Sequence, residues 1–355
     1  MSDNRFKMSG HKLYWHLERV AAWQRGEDIV PLYFDMGITQ TCNIACEYCY
    51  YAVPENRTKE AIPTGRLITF LQEAAEVGVK AIGFLGDGEP MVHPGVYDAV
   101  IAGRAAGLDM AISTNGVVMK EDRLADFLAA LKWIRFNISA VTPDSYARVM
   151  GAKPHILDKV VANIRRTVDI VKREGLETTV GLQMVLVSDC VDQIVPFAKF
   201  GREIGVDYAV IKQCSEHGSL PHGLIIDDAE EHEDKFTEAE AYATDKYSVI
   251  IKRRKMMQKA RTYDKCFGTW FLPQITGAGD IYVCGNFFGN EKFYLGSIVT
   301  DSFKRIVSSR EYAEVMRRVA SQVDVHKECG LGCRQNEINE FLWAIHQTPE
   351  HVNFI

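Results

Sequence analysis

Along most of the chain, short apolar runs rich in β-branched residues alternate with longer stretches in which apolar residues recur every three or four positions. The short runs fall at about 33–40, 80–85 (KAIGFL), 109–114 (DMAIST), 133–139 (WIRFNIS), 178–187 (TTVGLQMVLV) and 206–212 (VDYAVIK) and predict buried strands. Helical patterns fill the gaps: PTGRLITFLQEAAEVG, PGVYDAVIAGRAAG, EDRLADFLAALK, ILDKVVANIRRTVDIVKREG and VDQIVPFAKFGREIG. Several close on a glycine suited to the position after a helix C-terminus. Six such alternations predict an α/β fold with a parallel sheet, either open and doubly wound or a partial barrel, whose chemistry lies on loops after the carboxyl ends of the strands.

The pattern changes at both ends. HKLYWHLERVAAWQRGE reads as an amphipathic helix using Leu13, Leu17 and Val20, with Trp15 and Trp23 as packing residues. After the sixth strand, IIDDAEEHEDKFTEAEAYATDKY predicts a linker or lid helix whose acidic run is a solvated face. DKCFGTWFLPQITGAGDIYVCGN then reads as a hairpin with Gly-Ala-Gly-Asp at its turn. HKECGLGCRQNEINEFLWAIH reads as a knuckle entering a final helix. The expected partition is a helical cap over 1–32, the strand–helix unit over 33–214, the acidic linker or lid over 215–262 and a small α+β domain over 263–355.

Composition narrows the function classes. With 47% hydrophobic and 25% charged residues the chain is an ordinary globular protein. A net charge of -6 and the lack of a basic stripe argue against nucleic acid as partner. MSDNRFKMSGHKLYWHLERV has no apolar signal core, and no apolar run is long enough to span a membrane, which predicts a cytoplasmic protein. In that compartment nine cysteines in uneven clusters point to metal or catalysis rather than disulfides.

The densest cluster is CNIACEYCY, where Cys42, Cys46 and Cys49 follow the first strand. Three buried thiols or a zinc knuckle completed by a distant histidine are the plain readings, but a zinc site needs a fourth ligand and none is near. Three thiolates suit a four-iron cube with one iron left open. The spacing Cys-x3-Cys-x2-Cys, with Tyr48 before the last cysteine and after the first strand of a six-fold β/α pattern, resembles the radical S-adenosylmethionine (SAM) enzymes over about residues 33–213. That resemblance implies a partial (β/α)6 barrel, a [4Fe-4S] cluster whose open iron is chelated by SAM, and a 5′-deoxyadenosyl radical that removes a hydrogen atom from substrate. It also implies an electron donor of flavodoxin or ferredoxin type.

Other rim motifs acquire roles through the same resemblance. In GDGEP, Gly86 and Gly88 let backbone approach the cofactor and Glu89 offers a carboxylate to the methionine ammonium, while Asp87 stands where the family has glycine. Ser113, Asn115, Asn137 and Ser139 resemble ribose and carboxylate contacts. Arg148 resembles an arginine that pairs with the methionine carboxylate. Val185 and Val187, with Tyr48, would line the adenine.

The second thiol set is Cys266 and Cys284, seventeen residues apart across the hairpin, then Cys329 and Cys333, forty-four residues later. Four thiolates would suit zinc by ligand logic, but this order resembles the twitch domain, a shortened SPASM extension that holds one auxiliary [4Fe-4S] cluster. Cys190 and Cys214 remain, either as small buried hydrophobes or as hydrogen-atom donors to a substrate radical. From relatives of this type we expect an oxidoreductase or epimerase acting at a carbinol carbon of a sugar, aminocyclitol or nucleotide-sugar. The alternatives are a maturase modifying a ribosomal peptide, whose usual leader-recognition domain finds no room before the first strand, and a non-catalytic metal-binding scaffold.

Overall fold

The structure is a computed structural model that describes residues 10–49, 59–214, 223–226, 228–258, 260–330 and 332–354. Its strands are β1 (Tyr33–Met36), β2 (Ala81–Phe84), β3 (Asp109–Thr114), β4 (Leu131–Asn137), β5 (Thr179–Leu186), β6 (Tyr208–Gln213), β7 (Ser248–Ile251), β8 (Gln274–Ile275), β9 (Asp280–Tyr282) and β10 (Tyr294–Ser297). They form one sheet in the order β10-β9-β8-β1-β2-β3-β4-β5-β6-β7. Neighbouring strands from β8 through β1 to β7 are parallel, and β8, β9 and β10 are antiparallel to one another. The helices α1 (Leu17–Gln24), α2 (Thr64–Val77), α3 (Val96–Ala105), α4 (Leu124–Ala130), α5 (Pro143–Met150), α6 (Ile156–Glu174) and α7 (Ile194–Ile204) accompany the first six strands. This is the α/β partial barrel expected from the alternating pattern.

Alternation along each strand divides the side chains into two sets. Phe34 and Met36 of β1 and Ile134 and Phe136 of β4 are fully buried on the helix side. There Phe34 meets Phe70 of α2 and Phe303 with ring centroids 6.0 and 5.5 Å apart. The intervening residues Tyr33, Asp35, Ser113, Arg135, Asn137, Gln183, Tyr208 and Lys212 occupy the alternate positions, on the inner face of the barrel. Two glycines keep that face open. A Cβ on Gly83 would strike the Tyr33 hydroxyl, and one on Gly181 would strike the Tyr208 ring.

The segment expected to be a linker or lid departs from that reading. It contains α8 (Glu233–Glu240), β7 and α9 (Arg253–Met257), and β7 adds a seventh parallel strand beside β6. The acidic run is also put to use within the fold: Glu233 and Glu240 hold Arg253 at 2.9 and 2.5 Å, and its guanidinium lies 5.7 Å from the ring centre of buried Phe236. The N-terminal segment breaks at His16 into a 3-10 turn (Gly10–Trp15) and α1. The break rotates the apolar stripe, so Leu13 and Val20 are buried while Leu17 and Trp15 are exposed. Trp23 does pack, edge-on to Phe267 and Phe271.

Beyond β10, α10 (Phe303–Val307), α11 (Arg310–Gln322), α12 (Val325–Glu328) and α13 (Asn336–His346) complete the C-terminal region. It is docked on the barrel by several ties. Arg66 of α2 donates to the carbonyls of Ile298 and Asp301, the Phe303 N–H donates to Glu73, and Arg334 forms a two-pronged pair with Asp35 at 2.6 and 3.2 Å.

Candidate functional site

The loop after β1 brings Cys42, Cys46 and Cys49 together. Each thiolate raises the pKa of Cys46, which burial raises further. Around them the rim closes in order. Asn115 Nδ2 donates to Asn43 Oδ1 (2.6 Å) and lies 4.0 Å from the Cys42 sulfur. Ser139 donates to the Tyr48 hydroxyl (3.0 Å), which reaches the Met150 sulfur at 3.3 Å. The Val185 N–H donates to Ser139 Oγ (3.1 Å), linking β5 to the same group. Cys214, at the end of β6, lies 3.8 Å from the Tyr48 carbonyl. Tyr48, Asn115, Ser139, Val185 and Cys214 therefore meet at the first thiol set.

GDGEP is arranged by backbone contact more than by side-chain display. A Cβ on Gly86 would collide with Gly37, and one on Gly88 with the carbonyls of Thr39 and Thr41, so both glycines admit a close chain crossing. Asp87, where the resembled family has glycine, accepts the Gly277 N–H on both carboxylate oxygens at 2.9 and 3.0 Å. It thereby fastens this loop to the β8–β9 turn, and burial pushes its pKa up to about 6. Glu89 accepts from Thr114 Oγ1 (2.6 Å), the Asn115 N–H (2.7 Å) and the Met91 N–H (3.0 Å), and burial outweighs these bonds to raise its pKa to about 7. The expected free carboxylate is thus a buried hub joining the loops after β2 and β3.

Several residues expected at the cofactor have protein partners in the structure. Ser113 donates to Asn137 Oδ1, which also accepts from Gln183 Nε2, both at 3.0 Å. Arg148 lies on the surface beside Asp189, donating to its carbonyl at 3.1 Å. Val187 is fully buried, and the Cys190 thiol sits within its own turn, bonded to the Val185 and Val187 carbonyls at 3.6 and 3.4 Å. Burial pushes that thiol up to about 12. Those bonds make Cys190 a turn-closing residue and leave Cys214 as the thiol at the site.

The second thiol set also converges. Cys266, Cys284 and Cys329 all have pKa values raised by burial first and by Cys333 next. Asn339 Nδ2 donates to the Cys266 sulfur and the Gln335 N–H to the Cys333 sulfur, both at 3.4 Å. Buried Arg261 donates to the carbonyls of Val325, Cys329 and Gly330, fixing the knuckle. Sequence reasoning did not anticipate Arg261, Gln335, Asn339 or the Arg334–Asp35 pair. Their separation from their partners is legible only in the fold.

The donor chemistry fits iron–sulfur groups at both places. Among the described residues no three His, Cys, Asp or Glu side chains are set to hold one metal ion. The thiols of each set influence one another's protonation, and thiolates are the donors that hold iron–sulfur clusters.

Comparison with known proteins accords with this reading. Residues 36–194 match the model of the Radical SAM superfamily, and residues 266–334 that of the SPASM iron-sulfur cluster-binding domain. The chain thus carries a radical SAM domain and, C-terminal to it, a SPASM domain, the signatures of a [4Fe-4S] cluster used with SAM and of auxiliary iron–sulfur binding.

Among curated relatives, the GTP 3′,8-cyclase of Campylobacter fetus subsp. fetus is 34% identical over 139 residues, 37% of this chain and 41% of that protein. The PqqA peptide cyclase of Gluconobacter oxydans is 28% identical over 182 residues, 51% of this chain and 49% of that one. The chain spans about half the length of the curated relatives it matches. A solved structure of Streptococcus suis SuiB bound to S-adenosylmethionine shares the fold, with a TM-score of 0.65 and 16% identity over 89% of this chain and 74% of that one. Among the described residues no helix is long and apolar enough to cross a membrane.

Proposed function

We propose that this protein is a radical SAM enzyme that modifies a peptide, with substrate held in the barrel between the two thiol sets. The observation that carries the enzymatic reading is that two thiol sets each converge, three cysteines on the loop after β1 and four in the C-terminal region, the thiols of each set acting on one another's protonation. What supports a peptide over a carbohydrate is the presence of PqqA peptide cyclases among the relatives. The GTP 3′,8-cyclases among them bear on the radical chemistry and not on a peptide.

Cys42, Cys46 and Cys49 would hold the SAM-binding cluster, which when bound supplies the carbon radical by reductive cleavage of SAM. Cys266, Cys284, Cys329 and Cys333 would hold one auxiliary [4Fe-4S] cluster. Four protein ligands fill such a cluster and suit it to accepting an electron. Tyr48 and Ser139 would seat the cofactor's adenosine, and Asn115 would hold the loop that carries Cys42. Glu89 fixes the loops after β2 and β3, and a bound ammonium nearby would return its proton to solvent. Cys214, beside Tyr48, is the residue positioned to return a hydrogen atom. A flavodoxin- or ferredoxin-type donor would reduce the rim cluster.

The test is an anaerobic screen of the reconstituted protein with peptide and sugar pools, reading 5′-deoxyadenosine. Peptide-dependent formation with a mass change in the peptide is expected. Formation dependent on a sugar alone would overturn the peptide assignment.

A further inference from the structure

The inner face of the barrel gathers cations that are scattered in sequence. Arg135 of β4 donates to Ser113 Oγ at 3.4 Å from two of its nitrogens, and lies 5.2 Å from the Trp133 ring centre. Across β5, where Gly181 pairs with both Arg135 and Tyr208, the glycine leaves room for the Tyr208 ring. Lys212 stands two inner positions further along β6 than Tyr208 and two residues before the rim thiol Cys214. Lys255 of α9 is brought to the same end of β6 by backbone bonds: the Lys252 N–H donates to the Ile211 carbonyl and the Lys255 N–H to the Lys252 carbonyl, both at 3.0 Å, and Lys255 lowers the Lys212 pKa. Arg334 completes the group, and the mutual repulsion of Arg135, Lys255 and Arg334 depresses the Lys212 pKa after burial has done so first.

The anions facing this group are few. Asp35 is committed to Arg334 and to the Tyr33 hydroxyl at 2.6 Å, and Glu337 acts on Lys255 from α13. Neither Lys212 nor Lys255 has a side-chain hydrogen bond or ion pair among the described residues. Arg334 keeps 40% side-chain accessibility beside its partner Asp35. The cations thus run from the rim thiol Cys214 to the auxiliary thiol Cys333, along the space where substrate must lie if the proposed function holds. Uncompensated like charges in a poorly solvated place are costly unless an anion joins them.

We propose that Lys212, Lys255 and Arg135 form an oxyanion-binding site inside the barrel, so that the substrate carries a carboxylate or phosphate close to the bond that is attacked. In the peptide reading, on which this rests, the carboxylate is an acidic side chain. A substrate phosphate uses the same donors.

The test is anaerobic calorimetry on the reconstituted full chain with SAM, using inorganic pyrophosphate, a capped glutamate and a nucleoside diphosphate as probes. At least one probe binds the wild type, and Lys212→Met and Lys255→Met each weaken it about tenfold, the worth of one charge-assisted hydrogen bond. Lys199→Met, on the exposed face of α7, leaves it unchanged, and circular dichroism verifies the fold of each variant. Tighter binding of the glutamate probe identifies a carboxylate, and tighter binding of the nucleotide identifies a phosphate. The proposal is overturned if no probe binds. It is equally overturned if the lysine variants bind as well as wild type while the auxiliary cluster's reduction potential falls, because the cations would then serve the cluster's charge. If probes bind in a lysine-dependent manner but no peptide supports 5′-deoxyadenosine formation, the anion site stands and the peptide assignment fails.

Discussion

The two thiol sets differ in how the chain supports them. Cys42, Cys46 and Cys49 lie on one short loop, joined to the rest of the rim through Asn115, Tyr48 and Ser139. Cys266, Cys284, Cys329 and Cys333 come from a hairpin and a knuckle, clamped by Arg261 and hydrogen-bonded at sulfur by Asn339 and Gln335. Three ligands on a loop leave a coordination position for a small molecule. Four ligands on interlocked elements close the group off and reserve it for electron transfer. Under the proposed function, similar residues would thus take different duties through the number of ligands and the elements that carry them.

The strongest ways to break this contrast are to remove one thiol of the rim set and to cut the tie that docks the C-terminal region on the barrel. Cys46→Ala is expected to abolish 5′-deoxyadenosine formation and to lower iron from about eight to about four per chain, as metal analysis would show. Asp35→Asn leaves Arg334 without its carboxylate and loosens the C-terminal region. It should lower the unfolding free energy by about 2 kcal/mol, read as a lower denaturant midpoint at unchanged slope.

Asn339→Leu removes a donor to the Cys266 sulfur. Loss of a hydrogen bond worth ~0.5–1.5 kcal/mol destabilises the reduced, more negative cluster, so its potential should fall by about 20–60 mV in a redox titration, with the rim cluster unmoved. Glu89 provides the mildest test. Its pKa rises from 4.5 in the unfolded chain to about 7 when folded, because burial prevails over three hydrogen bonds. The unfolded chain loses its proton first, so stability is highest below about pH 4.5 and declines as pH rises to about 7. Glu89→Gln should flatten that portion of the stability profile.

Much of the barrel was legible because its strands are short β-branched runs bounded by turn residues, and β3 spans 109–114 as read from DMAIST. β7 escaped notice because SVII is a run of only four residues, set between the acidic segment before it and the basic run KRRK after it. The helix α5 escaped because PDSYARVM is brief and carries few apolar positions. At the site, thiol spacing revealed both cysteine sets, since ligand spacing is a local property. The Asp87–Gly277 tie joins residues 190 positions apart, and the inner cations sit at 135, 212, 255 and 334, so neither leaves a local signature. The net charge of -6 argued against nucleic acid, but a net charge is a sum over the whole chain and does not describe the lining of an interior space.

The central claim is that one thiol set is open to SAM and the other is closed. Electron paramagnetic resonance of the reduced, reconstituted protein, with and without SAM, tests it directly. SAM should alter one of two cluster signals in the wild type and alter nothing in Cys46→Ala, whose remaining signal belongs to the auxiliary set. A SAM-dependent change that persists in Cys46→Ala, or none in the wild type, would contradict the account.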